Sequence, residues 1–272
     1  MELTFCKRLI GPRFGRIVSS DLKLLTVLCM VRYVALALGL LCHLSFLVAV
    51  VVMGLWLFGG MDLGPFHPNR ATAVVADILL LLQFPLLHSL FLGSRGRRLL
   101  ERLLPGDLGR KMISTTFVTF ASFQLIVLFV AWAPLGGLRW QPSGLLFGVW
   151  SCAYALSWIF LTVAMWNAGL STQMGYLGWW SVWQGRTPQY GDFPTHGLYK
   201  VCRHPVYFAM ALVALLGPVW TVDHLIIAVV FCSYCILGPM HKERRYRKRF
   251  GERFEAYSRS VPFFPFMRAP GR

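Results

Sequence analysis

Four predominantly apolar stretches, 34–58, 71–92, 113–133 and 145–166, constrain this chain more than any other feature. A helix needs about 20 apolar residues to cross a bilayer core, and each stretch meets that length. Inside hydrocarbon every backbone N–H and C=O must be satisfied within the segment, so each stretch is predicted to be helical. Two further apolar runs, 206–220 and 225–240, are shorter and flank Thr221-Val222-Asp223-His224. They predict a hairpin with both ends on one side, either crossing with help from flanking residues or re-entrant. The expected fold is an all-α polytopic membrane bundle of four long spans plus a short C-terminal hairpin, about six transmembrane segments, followed by a cytoplasmic amphipathic tail helix.

Composition agrees, since 56% hydrophobic and 14% charged residues exclude a soluble domain of this size. The formal charge of +16 invites a nucleic-acid reading, but Lys and Arg fall in blocks between the apolar stretches, as orientation signals do. Alternate loops and termini carry 25 basic residues on one side and only Arg70 and Arg139 on the other. Both termini are therefore expected in the cytoplasm, in the inner membrane if the cell is bacterial. The first thirty residues lack the short apolar core and small-residue cleavage site of a signal peptide, so 34–58 reads as an uncleaved anchor. Of the seven cysteines, Cys232 and Cys235 form a C-x-x-C inside a span and read as apolar filler rather than a redox or zinc pair. No metal site is expected.

The chain divides into a basic segment at 1–33, with an interfacial helix around 20–32, a bundle at 34–240, and a tail at 241–272. The loop 167–205 carries Trp179, Trp180 and Trp183, whose indoles favour the water–lipid boundary. It reads either as an interfacial loop or as a lid over a site. In the tail, Tyr246, Phe250, Phe254 and Tyr257 recur at i, i+4, i+8 and i+11 among Lys and Arg, the pattern of an amphipathic helix on an anionic membrane surface. An aromatic anchor at 261–266 follows.

Chemistry is concentrated at Arg203-His204-Pro205-Val206-Tyr207. Charge, imidazole and proline are costly at a bilayer boundary without a function. Pro205 frees backbone groups, His204 donates or accepts, and Tyr207 shares its face three residues on. A snorkelling anchor with Pro in the first helical turn is the structural alternative. A nucleotide-like cofactor would have to be held by helix ends and loops, because no Gly-x-Gly turn and no strand–helix alternation exist.

The order RHPxY, apolar hairpin, Glu243, Phe250-Gly251, Tyr257, Val261-Pro262 resembles the C-terminal signature of the integral-membrane methyltransferases. That superfamily includes isoprenylcysteine carboxyl methyltransferases, phospholipid N-methyltransferases, methanethiol S-methyltransferases and NnrU-like proteins. The resemblance implies S-adenosylmethionine as cofactor. It implies Arg203, His204, Pro205 and Tyr207 around the cofactor's amino-acid part, Tyr199, Gly191 and Phe193 on the adenosine side, and Gln184 upstream. Glu243 matches a cofactor-contacting acid, with a surface partnership with Arg247 as the alternative; beside Lys242, Arg244 and Arg245 it is expected to be ionised. The chain departs from the family pattern where Lys242-Glu243 stands for two acids and where Gly238, Pro239 and Met240 offer no Arg for a prenylcysteine carboxylate. Leu87-His88-Ser89, Gly175–Trp183 and 221–225 are similar to elements of the methanethiol/NnrU-like branch, which puts His88 and Trp183 near the acceptor. His224 reads as a turn residue. The expected partners are the lipid bilayer and a small or hydrophobic thiol such as methanethiol. Carboxyl methylation of isoprenylcysteine, N-methylation of a phospholipid amine, and a non-catalytic accessory or transport role are the alternatives.

Overall fold

The computed structural model describes the backbone of residues 12–265 and side chains from residue 26 onward. Cys6, Lys7, Arg8 and Phe266 lie outside the described residues. The helices, in order, are α1 Pro12–Phe58, α2 Arg70–Leu92, α3 Ser94–Glu101, α4 Asp107–Lys111, α5 Ile113–Val130, α6 Gly144–Asn167, α7 Leu170–Gln173, α8 Tyr176–Trp183, α9 Pro205–Leu215, α10 Val222–Phe250 and α11 Glu252–Ser260. A 3-10 turn at Gly197–Lys200 precedes α9. The sole strands among the described residues are β1 Arg139–Trp140 and β2 Trp220–Thr221, paired antiparallel with Arg139 opposite Thr221. The chain is thus an all-α membrane bundle, and five helices are long and apolar enough to cross: Thr26–Phe58 of α1, then α2, α5, α6 and α10.

Lipid is as apolar as leucine, so these helices associate through close packing rather than through escape from water. Along α1, Leu40, Leu44, Leu47 and Leu55 stay exposed while Ala35, Gly39, Cys42, Ser45 and Ala49 are buried. That stripe of small residues lets α5 and α8 approach the α1 backbone. A Cβ on Gly39 would collide with the ring of Trp179, whose Nε1 donates to His43 Nε2 at 3.0 Å. The aromatic part of the 167–205 loop is therefore docked into the bundle through α8 rather than laid loosely over it. The largest cluster of buried side chains, including Leu57, Met61, Phe129, Trp132, Val213 and Ile227, joins α1, α5, α9 and α10 at the other end.

The C-terminal hairpin differs from its expectation in two ways. Its first arm, α9, has 11 residues, about 16 Å of helix, or half a hydrocarbon core. From Leu216 the chain leaves the helix and bends into β2. The Ala214 carbonyl that this break frees accepts from His224 Nε2 at 2.8 Å, so His224 closes the turn. The second arm and the first part of the expected tail helix form one 29-residue helix, α10, which continues through Pro239, and α11 is the separate remainder of the tail. The aromatic stripe is corrected as well. Gly251, at φ 52°, lies in the left-handed region and ends α10, so one face does not run from Tyr246 to Tyr257 along a single helix. The four rings instead surround Phe193 of the loop, with centroids 5.9, 5.0, 5.4 and 5.4 Å away. The tail's aromatic face therefore packs on the protein's own loop.

Candidate functional site

His204 caps α9 with non-helical φ and ψ, and Pro205 takes the first helical position, where its missing N–H costs nothing. This places Arg203 and His204 under the tail. Arg203 N donates to Pro262 O at 2.9 Å. Its guanidinium donates from Nη1 to Ser258 O and Val261 O at 2.7 and 2.6 Å, and from Nε to Glu243 Oε1 at 2.7 Å. Phe263 covers the pair, its ring 4.7 Å from that of His204 and 5.6 Å from the Arg203 guanidinium. Tyr257 Oη donates to Tyr199 O at 2.7 Å, fastening α11 to the 3-10 turn.

Glu243 is the acid at the centre. Oε1 accepts from Arg203 and from His204 Nε2, the latter at 2.9 Å, and Oε2 accepts from Arg247 Nη2 at 3.0 Å. The Arg247 partnership and the inward role coexist, because the carboxylate uses both oxygens. Arg203, His204 and Glu243 are all at most 4% exposed, so the charges hold one another in a dry pocket. Burial pushes the His204 imidazole down to about 4, although the bond to Glu243 pulls the other way. His204 is therefore neutral near pH 7. A carboxylate only accepts, so the ring proton sits on Nε2 and Nδ1 is a bare acceptor. Nδ1 is buried without a partner, and so is Arg203 Nη2. One unused acceptor and one unused cationic donor thus occur on adjacent residues.

The residues singled out in the sequence fall into three groups. Arg203, His204, Pro205, Glu243, Tyr199 and Phe193 come together around the tail. Tyr207 stands at the edge of that group, its ring 6.0 Å from His204 and packed on Gly238. Gly191 is exposed near the ion pair of Asp192 with Arg253, which closes at 2.8 Å. Gln184 and Trp183 lie elsewhere: Trp183 packs edge-on against Tyr33 at 6.0 Å, and Gly185 neighbours Arg32 of α1. His88 packs between Phe84 and Phe117 of α2 and α5, with Nδ1 unpartnered.

A cavity of about 280 Å³ opens beside Tyr207, lined also by Ser89, Leu92, Tyr234, Gly238, His241, Arg244 and Arg245. Ser89 Oγ and Tyr234 Oη are 3.1 Å apart across it. Sequence reasoning pointed to His88 where Ser89 is the lining residue, and it missed the α10 wall altogether. The available signal was the recurrence of Tyr234, Gly238, His241 and Arg245 at i, i+4, i+7 and i+11.

Comparison with known proteins bears on this region directly. The chain is 27% identical to a methanethiol S-methyltransferase of Crocosphaera subtropica over 87% of its own length and 93% of the relative's. It is 27% identical to one of Pseudomonas deceptionensis, over 74% and 75%, and 26% identical to one of Mycobacterium tuberculosis, over 85% and 96%. No solved structure matches. The family profile described as "Protein of unknown function (DUF1295)" matches residues 102–261, which include Arg203, His204, Tyr207 and Glu243. The chain belongs to the DUF1295 family and is similar along most of its length to methanethiol S-methyltransferases.

Proposed function

We propose that this membrane protein transfers a methyl group from S-adenosylmethionine to a thiol, with the Arg203–Glu243 region on the cytoplasmic side. The observation that carries the reading is the adjacent pair of unused buried atoms, Arg203 Nη2 and His204 Nδ1. An amino-acid end presents a carboxylate and an ammonium, and these match a cationic donor and a neutral acceptor in turn. The names of the relatives support the methyl-transfer class.

When bound, the cofactor supplies an electrophilic methyl on a sulfonium, and transfer to a thiolate leaves two neutral thioethers. The chain's own residues do the rest. Glu243 orients Arg203 and fixes the His204 tautomer. Phe193 and Tyr199 act by holding the tail closed over them. Tyr207 stands between this pocket and the open cavity and so sets the distance between the two reactants. A thiol, with a usual pKa of about 8.5, is partly ionised near neutrality, so no dedicated base is required.

The test supplies labelled S-adenosylmethionine to purified protein with a panel of thiols, a prenylated cysteine and phosphatidylethanolamine. Label should enter the thiols, and His204→Ala should weaken cofactor binding in a protein that stays folded in detergent. Label entering only prenylcysteine or the phospholipid would overturn the thiol assignment. Unchanged cofactor titration in His204→Ala would remove the pocket assignment.

A further inference from the structure

The cavity beside Tyr207 is larger and more cationic than a two-heavy-atom thiol requires. Its 280 Å³ equals roughly nine water volumes at about 30 Å³ each. Ser89 and Tyr234 place two hydroxyls on its wall, with Tyr207 shared between the cavity and the His204 pocket. Its rim carries His241, Arg244 and Arg245, all exposed. Among the described residues no carboxylate lies within ion-pair distance of either arginine, whereas Arg203 and Arg247 on the same side are neutralised by Glu243 and Glu255. Glu243 cannot serve the rim, because it points into the buried pocket with both oxygens occupied. Two guanidiniums without counter-charge beside a roomy, hydroxyl-lined cavity are the recognition chemistry for a carboxylate or phosphate.

We propose that this cavity seats the methyl acceptor, and that the acceptor is a short thiol bearing a carboxylate. The carboxylate lies against Arg244 and Arg245, and the sulfur points toward Tyr207. The inference rests on the methyl-transfer reading above and adds the substrate class. It also accounts for the thiol's activation, since nearby guanidiniums favour the thiolate.

The experiment pairs 3-mercaptopropionate with 1-propanethiol, which is similar in size but uncharged, using full-length protein in zwitterionic nanodiscs. The carboxylated thiol should be preferred in kcat/KM, and Arg245→Gln should cut that preference by about tenfold, the scale of one charge-assisted contact. Arg245→Lys should restore part of it, which a merely folding-related defect would not do. Calorimetric binding of 3-mercaptopropionate without cofactor separates the two readings. Binding that is lost in Arg245→Gln, with no methylation of any thiol, would sink the methyl-transfer reading while the anion seat stands. Methylation of propanethiol at equal or better efficiency, with no binding of 3-mercaptopropionate, would sink this inference alone. A third arm uses nanodiscs rich in anionic phosphatidylglycerol. If these abolish 3-mercaptopropionate binding, the rim belongs to lipid headgroups and the proposal fails.

Discussion

At the start of α10, Asp223 accepts from Trp132 Nε1 at 3.0 Å and from Leu135 N at 3.1 Å. Near the other end, Glu243 accepts from Arg203, His204 and Arg247. Both acids are 2% exposed. Asp223 sits at a helix N-terminus, where the backbone dipole favours an anion, and its donors are uncharged groups at the end of α5. It ties the hairpin to the bundle. Glu243 is held by two guanidiniums and a neutral imidazole, two of these partners have atoms left over, and a cavity opens beside Tyr207, whose ring lies 6.0 Å from that of His204. Unpaired buried atoms occur at both ends, Asp77 Oδ2 and His224 Nδ1 near Asp223 and Arg203 Nη2 and His204 Nδ1 at Glu243, but only at Glu243 do they belong to the acid's own partners. Buried charge alone therefore does not mark a candidate site; the Glu243 end is set apart by unused atoms on the acid's own partners, with Tyr207 between them and a cavity.

Truncating each acid tests that contrast most severely. Glu243→Ala should cost about 3–5 kcal/mol, because it strands Arg203 unpaired in a dry pocket, and it should abolish cofactor binding. Asp223→Ala should cost about 2–4 kcal/mol from two orphaned donors. Its still-folded fraction should keep cofactor affinity. Thermal unfolding in detergent with parallel cofactor titration reads both, and equal loss of affinity in the two variants would erase the distinction.

Acid provides a subtler probe of the Glu243 end. Burial holds His204 at about 4, below its ordinary 6.5. The unfolded chain then binds the extra proton first, so the stability from a neutral His204 is complete above pH 6.5 and is lost as pH falls toward 4. The full loss is about 3 kcal/mol. Unfolding midpoints across that window should fall less steeply in His204→Gln than in the parent. Parallel slopes would mean that His204 is not held neutral.

The smallest effect belongs to the exposed Asp192–Arg253 pair. Arg253→Gln should change stability by no more than about 0.5 kcal/mol. A larger loss would show that the 191–193 loop is pinned by this ion pair rather than by the rings around Phe193.

The sequence made the four long spans legible because length and apolarity decide them with little competition. The fifth was split in reading because hydropathy stops at His241 although the helix does not. The chemistry-bearing letters of Arg203, His204 and Glu243 were legible as well. Their geometry was not: Arg203 meets Ser258, Val261 and Pro262 through carbonyls, which any residue could offer. Phe193 drew no notice as an organiser because an isolated Phe in a polar loop carries no periodicity. The cavity was least legible of all, since Ser89 and Tyr234 are 145 positions apart and only the packed bundle brings their hydroxyls together.

The shortness of α9 has a consequence for how the protein is made. Eleven helical residues fall well below the length of about 20 that commits a segment to cross on its own. Beyond Leu215 the chain is no longer helical: β2 pairs with β1, and the Ala214 carbonyl freed at the helix end is met by His224, which is synthesised later. The first arm therefore lacks a stable place in lipid until α10 has emerged, so the two arms must partition from the insertion machinery as one unit. Arg203 and His204, left behind at the surface, then wait for Ser258, Val261, Pro262 and Phe263 to bury them, so the site forms only after α11 and the turn behind it have been made.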